Sequence, residues 1–179
     1  MSETETLRAL VIGGGPAGLM AAGTLAEAGF APVVAERMPS VGRKLLMAGK
    51  SGLNLTKEEP APAFRAAYGA GAADLATALD GFGPAAVMSW AEGLGQPLFT
   101  GSTGRVFPEA MKASPLLRAW LARLREGGTE LRTRWRWTGW DGPGALFETP
   151  DGTRRIAAEA IVLALGGASW ARLGSDGRW

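Results

Sequence analysis

Apolar runs alternate with helical patterns along the chain, which predicts strands that alternate with helices. The run at 9–12 predicts a buried strand, and the stretch at 16–28, rich in Ala, Leu and Met, predicts a helix. A second short strand is expected at 33–35. Residues 161–165 are apolar throughout, as a parallel strand buried on both faces should be. The pattern therefore predicts an α/β fold around a parallel sheet.

The middle of the chain is patterned less regularly. Residues 57–71 are rich in Pro, Ala and Gly, which predicts a linker-like segment. Short helices are expected at 72–79 and 84–92, so that 57–110 as a whole is interpreted as a helical excursion.

A stronger helical pattern follows this excursion. Leu116, Trp120 and Leu124 recur every four residues and predict an apolar stripe that packs against the sheet. Ser114 is the expected N-cap of this helix. A short strand should follow at 130–133, and the region as a whole is interpreted as scaffold.

Three arginines alternate with Thr133, Trp135 and Trp137 over 132–137, which predicts one strand with arginines on one face and aromatic rings on the other. Such a surface also fits nucleic acid, but the net charge of only +2 favours a half-buried strand with a solvated basic face. Asp151-Gly152 predicts a hairpin turn between strands at 146–149 and 154–157. These strands predict a small antiparallel meander beside the parallel sheet.

The most specific chemical signal lies between the first two predicted strands. Gly13, Gly15 and Gly18 match G-x-G-x-x-G at a strand-to-helix junction, with Pro16 in the first helical turn. The first glycine permits the tight turn, the second leaves room for a pyrophosphate, and the third lets helix and strand pack closely. The N–H groups at the helix start favour phosphate. This context predicts dinucleotide binding.

An acidic residue stands where the second strand ends. Glu36 lies 18 residues after Gly18, where a carboxylate can accept hydrogen bonds from ribose hydroxyls. It would repel a 2′-phosphate and so favours FAD or NAD over NADP, although Arg37 beside it acts in the opposite direction. Gly49-Lys50-Ser51 resembles the end of a P-loop, but that pattern needs glycine where Lys44 stands, so this interpretation is rejected.

Composition narrows the possible chemistry. The chain has no Cys and no His, which excludes thiolate zinc sites, Ser-His triads and proton transfer by histidine. Chemistry must come from carboxylates, Lys, Arg, the single Tyr68 or a bound cofactor, and no side chain is nominated as catalytic. The N-terminus lacks a basic secretory region and no apolar run reaches the length of a membrane span. A cytoplasmic location without membrane or nucleic-acid partners is expected.

Four further segments carry a family resemblance. They are Gly42-Arg43-Lys44-Leu45-Leu46, Asn54-Leu55-Thr56, 104–114 and 164–169. With them, the chain resembles the BaiN-like NAD(P)/FAD-dependent flavoproteins, whose named member is a dehydro-bile-acid reductase. Many members have Gly-Gly-Gly-Arg-Cys-Asn where this chain has Gly-Lys-Ser-Gly-Leu-Asn at 49–54, so bile-acid substrates are not carried over.

The resemblance implies a three-layer FAD/NAD(P)-binding Rossmann-like domain. It implies FAD as the cofactor, NAD(P)H as a candidate electron donor, and FAD-dependent oxidoreduction of an unidentified small molecule. Together with the glycine motif, it gives the expected cofactor-binding residues: Gly13, Gly14, Gly15, Pro16, Ala17, Gly18, Glu36, Arg37, Gly42, Arg43, Lys44, Asn54, Trp137 and Gly166.

The resemblance also implies that 1–179 is the N-terminal part of a larger flavoprotein. Family members continue into an inserted substrate domain and a C-terminal segment that completes the FAD site. Without that segment, the strand at 161–165 is expected to keep an open edge through which copies could self-associate. Two alternatives stay open: a non-catalytic fragment that holds only the ADP part of FAD, and an RNA-associated flavoprotein.

Overall fold

The computed structural model describes residues 4–48, 51–174 and 176–178. The chain divides into two compact units, of which the first comprises Met1–Leu45 with Leu121–Trp179 and the second Leu46–Trp120. Gly49 and Lys50, part of the rejected P-loop pattern, lie outside the described residues. Among the helices of the described ranges, none has the length and apolarity that a membrane span requires.

The secondary structure follows the predicted alternation of strands and helices. The described strands are β1 (Thr4–Ile12), β2 (Val33–Glu36), β3 (Thr56–Lys57), β4 (Leu98–Thr100), β5 (Arg105–Pro108), β6 (Glu130–Thr133), β7 (Arg136–Asp141), β8 (Gly144–Thr149) and β9 (Gly152–Leu163). The described α-helices are α1 (Pro16–Glu27), α2 (Arg43–Ala48), α3 (Ala61–Ala66), α4 (Ala76–Gly81), α5 (Pro84–Gly93) and α6 (Ala113–Glu126). Short 3₁₀ turns occur at Gly69–Ala72 and Ala171–Leu173.

The first unit is built on a six-stranded sheet with the order β6-β2-β1-β9-β8-β7. Strands β6, β2, β1 and β9 are parallel, and β8 and β7 extend the sheet in antiparallel fashion. The predicted α/β fold, with a parallel sheet and a small antiparallel meander, is confirmed. Helix α1 lies against β1 and β2 and buries Leu19 and Ala22. The buried core cluster consists of Leu10, Ile12, Val33, Ala35, Ala145, Phe147 and Ile156.

Strand β9 is continuous over 12 residues where the sequence predicted two separate strands. Its pairing with β8 ends at Ala157, whereas its pairing with β1 continues to Leu163. The strand expected at 161–165 ends at Leu163, and this residue is 52% exposed, so the strand is not buried on both faces among the described residues. The last residues of β9 have β1 beside them but lie beyond the end of the β8 ladder. The expected self-association through this edge stays a prediction.

The predicted strand over 132–137 is interrupted by a corner. β6 ends at Thr133, Arg134 adopts a left-handed φ of 61°, and β7 begins at Arg136. The corner carries the chain from one edge of the sheet to the other. Arginine and tryptophan are therefore not on opposite faces of one strand. Instead, the guanidinium carbon of Arg132 lies 4.9 Å from the centroid of the Trp135 ring.

The second unit contains helices and a small antiparallel sheet with the order β3-β5-β4. The helix expected at 84–92 is confirmed as α5. The linker-like segment expected at 57–71 instead contains α3, and the helix expected at 72–79 is replaced by a 3₁₀ turn followed by α4. The excursion at 57–110 is thus not purely helical. Its strands were not predicted because strands of two to four residues are too short to show an alternating pattern. Helix α6 begins at Ala113, so Ser114 lies inside the helix and is not its N-cap.

Candidate functional site

The carboxyl ends of three parallel strands meet at one edge of the first unit's sheet. Ile12 at the end of β1 is paired with Ala35 of β2 and with Leu163 of β9. The glycine turn at 13–15 leaves β1 at this edge, and α1 begins immediately after it. Ligands of open parallel sheets bind in the crevice outside these strand ends.

Three glycines of the motif are needed by the fold itself. Gly13 has a φ of 113°, and a Cβ there would lie 2.3 Å from the carbonyl oxygen of Ala164. A Cβ on Gly14 would lie 2.5 Å from Cγ1 of Val41, and one on Gly18 would lie 1.8 Å from the carbonyl oxygen of Gly13. Contacts this short do not occur, so a side chain at any of these positions would displace backbone or core. Gly14 occupies a variable position of the sequence pattern, which is why the pattern alone does not show its importance.

Gly15 has a different environment. It is the N-cap of α1 with φ −80° and ψ −178°, an extended conformation that any residue can adopt. A Cβ at this position would meet no atom of the described residues within 4 Å. Packing within the protein therefore does not explain a glycine here. The open space in front of Gly15 is where a ligand could approach the backbone.

The start of α1 presents backbone donors toward this space. No side chain of the described residues caps the helix, and Pro16 at its first position has no N–H. The first turn closes with the Leu19 N–H donating to the carbonyl oxygen of Gly15 at 2.9 Å. The N–H groups of Ala17 and Gly18 have no partner within a helix of this geometry, and together with the helix dipole they make a positive end.

The Glu36 carboxylate joins the glycine turn to the loop after β2. Its Oε2 accepts a hydrogen bond from the Gly14 N–H at 2.7 Å, and its Oε1 accepts one from the Met38 N–H at 2.8 Å. The Gly13 N–H donates to the carbonyl oxygen of Ala35 at 2.8 Å, which holds the same two segments together. Sequence reasoning anticipated Glu36 as an acceptor for ribose but missed this structural role. Each carboxylate oxygen still has lone-pair capacity for a further donor.

Two clefts open at this edge, and their linings share Gly13, Glu36, Leu165 and Gly174. The first, here called the tryptophan cleft, is also lined by Ile12, Ala35, Arg37, Trp135, Arg136, Trp137, Asp176, Gly177 and Arg178. The second, the glycine cleft, is also lined by Gly14, Gly15, Pro16, Ala17, Ser40, Gly42, Arg43, Lys44, Ala164, Gly166 and Leu173. Because they share these four lining residues, the two clefts are contiguous.

The clefts bring together most of the residues expected to bind the cofactor. Two expected residues, Gly18 and Asn54, are not among the described lining residues. Gly18 lies beneath the turn against the carbonyl oxygen of Gly13. Asn54 is exposed in the second unit, where its N–H donates to the carbonyl oxygen of Gly52 at 3.1 Å, so its expected role stays a prediction.

The tryptophan cleft is held in place by backbone bonds to the end of β2. The Trp135 N–H donates to the carbonyl oxygen of Glu36 at 2.9 Å, and the Arg134 N–H donates to that of Met38 at 3.1 Å. The ring of Trp137 lies edge-on to that of Trp140 at 5.2 Å between centroids. Sequence reasoning missed the contribution of Trp135, because its place in the site depends on the left-handed corner at Arg134.

The glycine cleft contains a buried donor without a partner among the described residues. Gly42 follows the loop after β2, and its N–H donates to the carbonyl oxygen of Gly14 at 2.8 Å. Next to it, Nε of Arg43 is buried and has no hydrogen-bond partner among the described residues. Lys44 reaches Ser169 with 3.4 Å between Nζ and Oγ, which ties α2 to the loop after β9. A buried donor of this kind is costly unless an acceptor, such as an anionic ligand, satisfies it.

A further part of the site was not predicted from the sequence. Asp176 and Arg178 line the tryptophan cleft, and Nη2 of Arg37 lies 3.0 Å from Oδ2 of Asp176. The hydrogen bond from Arg37, with a second from the Arg178 N–H, holds the pKa of Asp176 below its usual range. Asp176 is therefore ionised near neutral pH. The local sequence gives no indication that Arg37 and Asp176 pair, because the two residues lie far apart along the chain.

The parallel sheet and the glycine turn at its edge define a Rossmann domain. The sequence matches the family described as HI0933-like protein Rossmann domain over residues 7–179, and the chain belongs to this family. No curated protein sequence matches it significantly.

Solved structures with a similar fold include the following three chains of low sequence identity. The 3-ketosteroid-Δ4-(5α)-dehydrogenase of Rhodococcus jostii RHA1 has a TM-score of 0.68 at 16% identity. A flavocytochrome c3 fumarate reductase has a TM-score of 0.64 at 22% identity, and THI4 of Thermovibrio ammonificans has 0.57 at 18%. The matches cover 93%, 91% and 94% of this chain but only 47%, 34% and 61% of those chains.

Proposed function

We propose that the chain binds FAD along the two contiguous clefts and forms the cofactor-binding part of an FAD-dependent oxidoreductase. The observation that carries the proposal is Gly15. The fold leaves space for a side chain there, yet the position is glycine and lies at the donor-rich start of α1. Exclusion of a side chain is what close approach of a pyrophosphate to the backbone requires. Membership of the HI0933-like Rossmann family supports the same assignment.

The residues of the clefts fit the chemistry of FAD. The N–H groups at the start of α1 would receive the pyrophosphate, and the unpartnered Nε of Arg43 offers a further donor to it. The remaining acceptor capacity of Glu36 would serve the ribose hydroxyls. The tryptophan cleft, with Trp137 in its wall, would hold the adenine, while Gly42, Lys44 and Gly166 of the glycine cleft would face the flavin half.

The chain's own contribution is to bind and orient. FAD, when bound, supplies hydride and electron transfer, and NAD(P)H is the proposed electron donor. The Arg37–Asp176 ion pair and the hydrogen bonds from the Gly14 and Met38 N–H groups to Glu36 hold together the part of the site that would bind the adenosine. The bound adenosine would in turn position the flavin.

Within the family, we infer a relationship to the BaiN-like flavoproteins. The segments Gly42-Arg43-Lys44 and Asn54-Leu55-Thr56 support it. The proposed contact of Asn54 with the cofactor rests on this resemblance alone. The substrate is left as an unidentified small molecule, since the segment at 49–54 departs from the pattern of many members.

A second candidate function is binding of the ADP part alone, without catalysis. It is favoured by the position of Glu36, the glycine turn and the tryptophan cleft, all of which would serve the ADP half.

Calorimetric titration with FAD, ADP and FMN distinguishes these candidates. The main proposal predicts that FAD binds more tightly than ADP and that its visible spectrum changes on binding. Equal affinity for FAD and ADP with an unchanged flavin spectrum would favour the second candidate. Binding of FMN without binding of ADP would contradict both.

A further inference from the structure

One side of the tryptophan cleft is formed by Gly174 and 176–178. Gly174 lies close to the loop after β2. Gly174 has a φ of 90°, and a Cβ on it would lie 2.8 Å from Cγ of Met38. The close passage places the carboxylate of Asp176 beside Arg37, at 3.0 Å between Oδ2 and Nη2.

The Arg37–Asp176 pair is partly withdrawn from solvent. The two side chains are 28% and 31% exposed. The Arg178 N–H also donates to Oδ1 of Asp176 at 3.1 Å, so both oxygens of the carboxylate are engaged. The carboxylate is thus oriented by two donors, and the guanidinium of Arg37 has a defined partner.

Arg37 follows directly after Glu36, the residue proposed to receive the ribose hydroxyls. An arginine near this acid is the side chain that accommodates a ribose 2′-phosphate in NADP-type sites. In this chain, however, the guanidinium is directed to Asp176. A 2′-phosphate at this position would meet an arginine that is already paired and two carboxylates, those of Glu36 and Asp176. Two other arginines line the cleft. Arg136 pairs with Glu148 across β7 and β8, and Arg178 donates its backbone N–H to Asp176.

We propose that Asp176 is a specificity-determining residue of the adenosine end. By pairing with Arg37, it withholds that guanidinium from a 2′-phosphate and restricts the cleft to adenosine with an unphosphorylated ribose. The inference rests on the proposed dinucleotide binding and extends it to a residue outside the glycine motif.

The test compares the affinities of ADP-ribose and of its 2′-phosphate by calorimetry. The parent chain should prefer ADP-ribose. Asp176→Asn should shift the affinity ratio toward the 2′-phosphate by on the order of tenfold, since the released guanidinium can form a charge-assisted bond to phosphate. Asp151→Asn, which makes the same change in net charge in the hairpin turn between β8 and β9, should leave the ratio unchanged.

Repeating Asp176→Asn in an Arg37→Ala background shows whether the effect passes through Arg37. The proposal predicts that most of the gain disappears, because no guanidinium remains to be released. An unchanged ratio in the single variant would overturn it, and so would an equal gain in both backgrounds, which would indicate direct repulsion by Asp176. If the parent binds neither ligand, the proposed dinucleotide binding fails, and this inference fails with it.

Discussion

The Oε2 atom of Glu36 lies 2.7 Å from the backbone nitrogen of Gly14, and this bond joins the end of β2 to the glycine turn. The other carboxylate oxygen accepts the Met38 N–H at 2.8 Å. Glu36 is thus part of the framework that shapes the site as well as a candidate ligand for ribose. Substitutions at this position should therefore affect folding and binding together.

Replacement of Glu36 by Ala should weaken binding of ADP-ribose by about 1.5–3 kcal/mol, as expected for loss of hydrogen bonds to a charged group. It should also lower the free energy of unfolding, because the Gly14 and Met38 N–H groups lose their acceptor. Glu36→Gln should be as disruptive as Glu36→Ala. Both carboxylate oxygens of Glu36 accept a backbone N–H, and in glutamine an NH₂ group, which cannot accept, would replace one of them. Calorimetry and urea unfolding measure the two effects. A Gln variant with parent-like stability and affinity would show that the bonds contribute little.

Helix α1 contains two glycines with opposite expected responses. Gly18→Ala should destabilise the fold by about 1–3 kcal/mol, as overpacking does, because the new Cβ would overlap the carbonyl oxygen of Gly13. Gly23→Ala should stabilise it by up to about 1 kcal/mol through helix propensity, because its Cβ would lie 3.6 Å from Cδ2 of Leu124, an ordinary contact. Urea unfolding of both variants tests the pair. Equal effects of the two substitutions would contradict the close packing of the turn.

The glycine turn and the segments around it show which parts of the structure the sequence could predict and which it could not. The path from β1 through the glycine turn to Glu36 was predicted correctly because each step depends on local pattern and on glycine stereochemistry. The corner at Arg134 was missed because a left-handed arginine has no sequence signature. The pairing of Arg37 with Asp176 was missed because it depends on how distant segments pack. The sequence analysis predicted two strands in place of β9. The charged and small residues of β9 interrupt its apolar pattern, although the strand forms a continuous ladder with β1.

A pH dependence should arise from the pair formed by Glu5 and Arg132. Both carboxylate oxygens of Glu5 accept bonds from Arg132, at 2.6 and 2.7 Å. The hydrogen bonds from Arg132 hold the pKa of Glu5 below its ordinary range. Because the folded pKa is lower than the unfolded value of about 4.3, the pair stabilises the fold above that pH and loses its effect as pH falls through the folded value.

The matched variant for this pair is Glu5→Gln. Its free energy of unfolding should be lower than the parent's at pH 7, by about 1 kcal/mol or less, since Glu5 is partly exposed. The difference should shrink as the pH falls below about 4. Urea unfolding across this range measures it. A difference that stays constant to pH 3 would mean that ionisation of Glu5 is not responsible.

The central claim is that the site binds a dinucleotide whose pyrophosphate lies against Gly15, and a calorimetric titration of Gly15→Val with FAD and ADP tests it most directly. Because a Cβ at Gly15 meets no described protein atom within 4 Å, the variant should still fold, with a urea midpoint lowered only modestly by the loss of glycine at the N-cap. Gly71→Val, at another position with open space for a Cβ, serves as the control and should keep parent affinity. The account predicts that Gly15→Val stays folded but loses at least about 100-fold in affinity for both ligands, roughly 2.8 kcal/mol. Unchanged affinity in a folded Gly15→Val protein would contradict it.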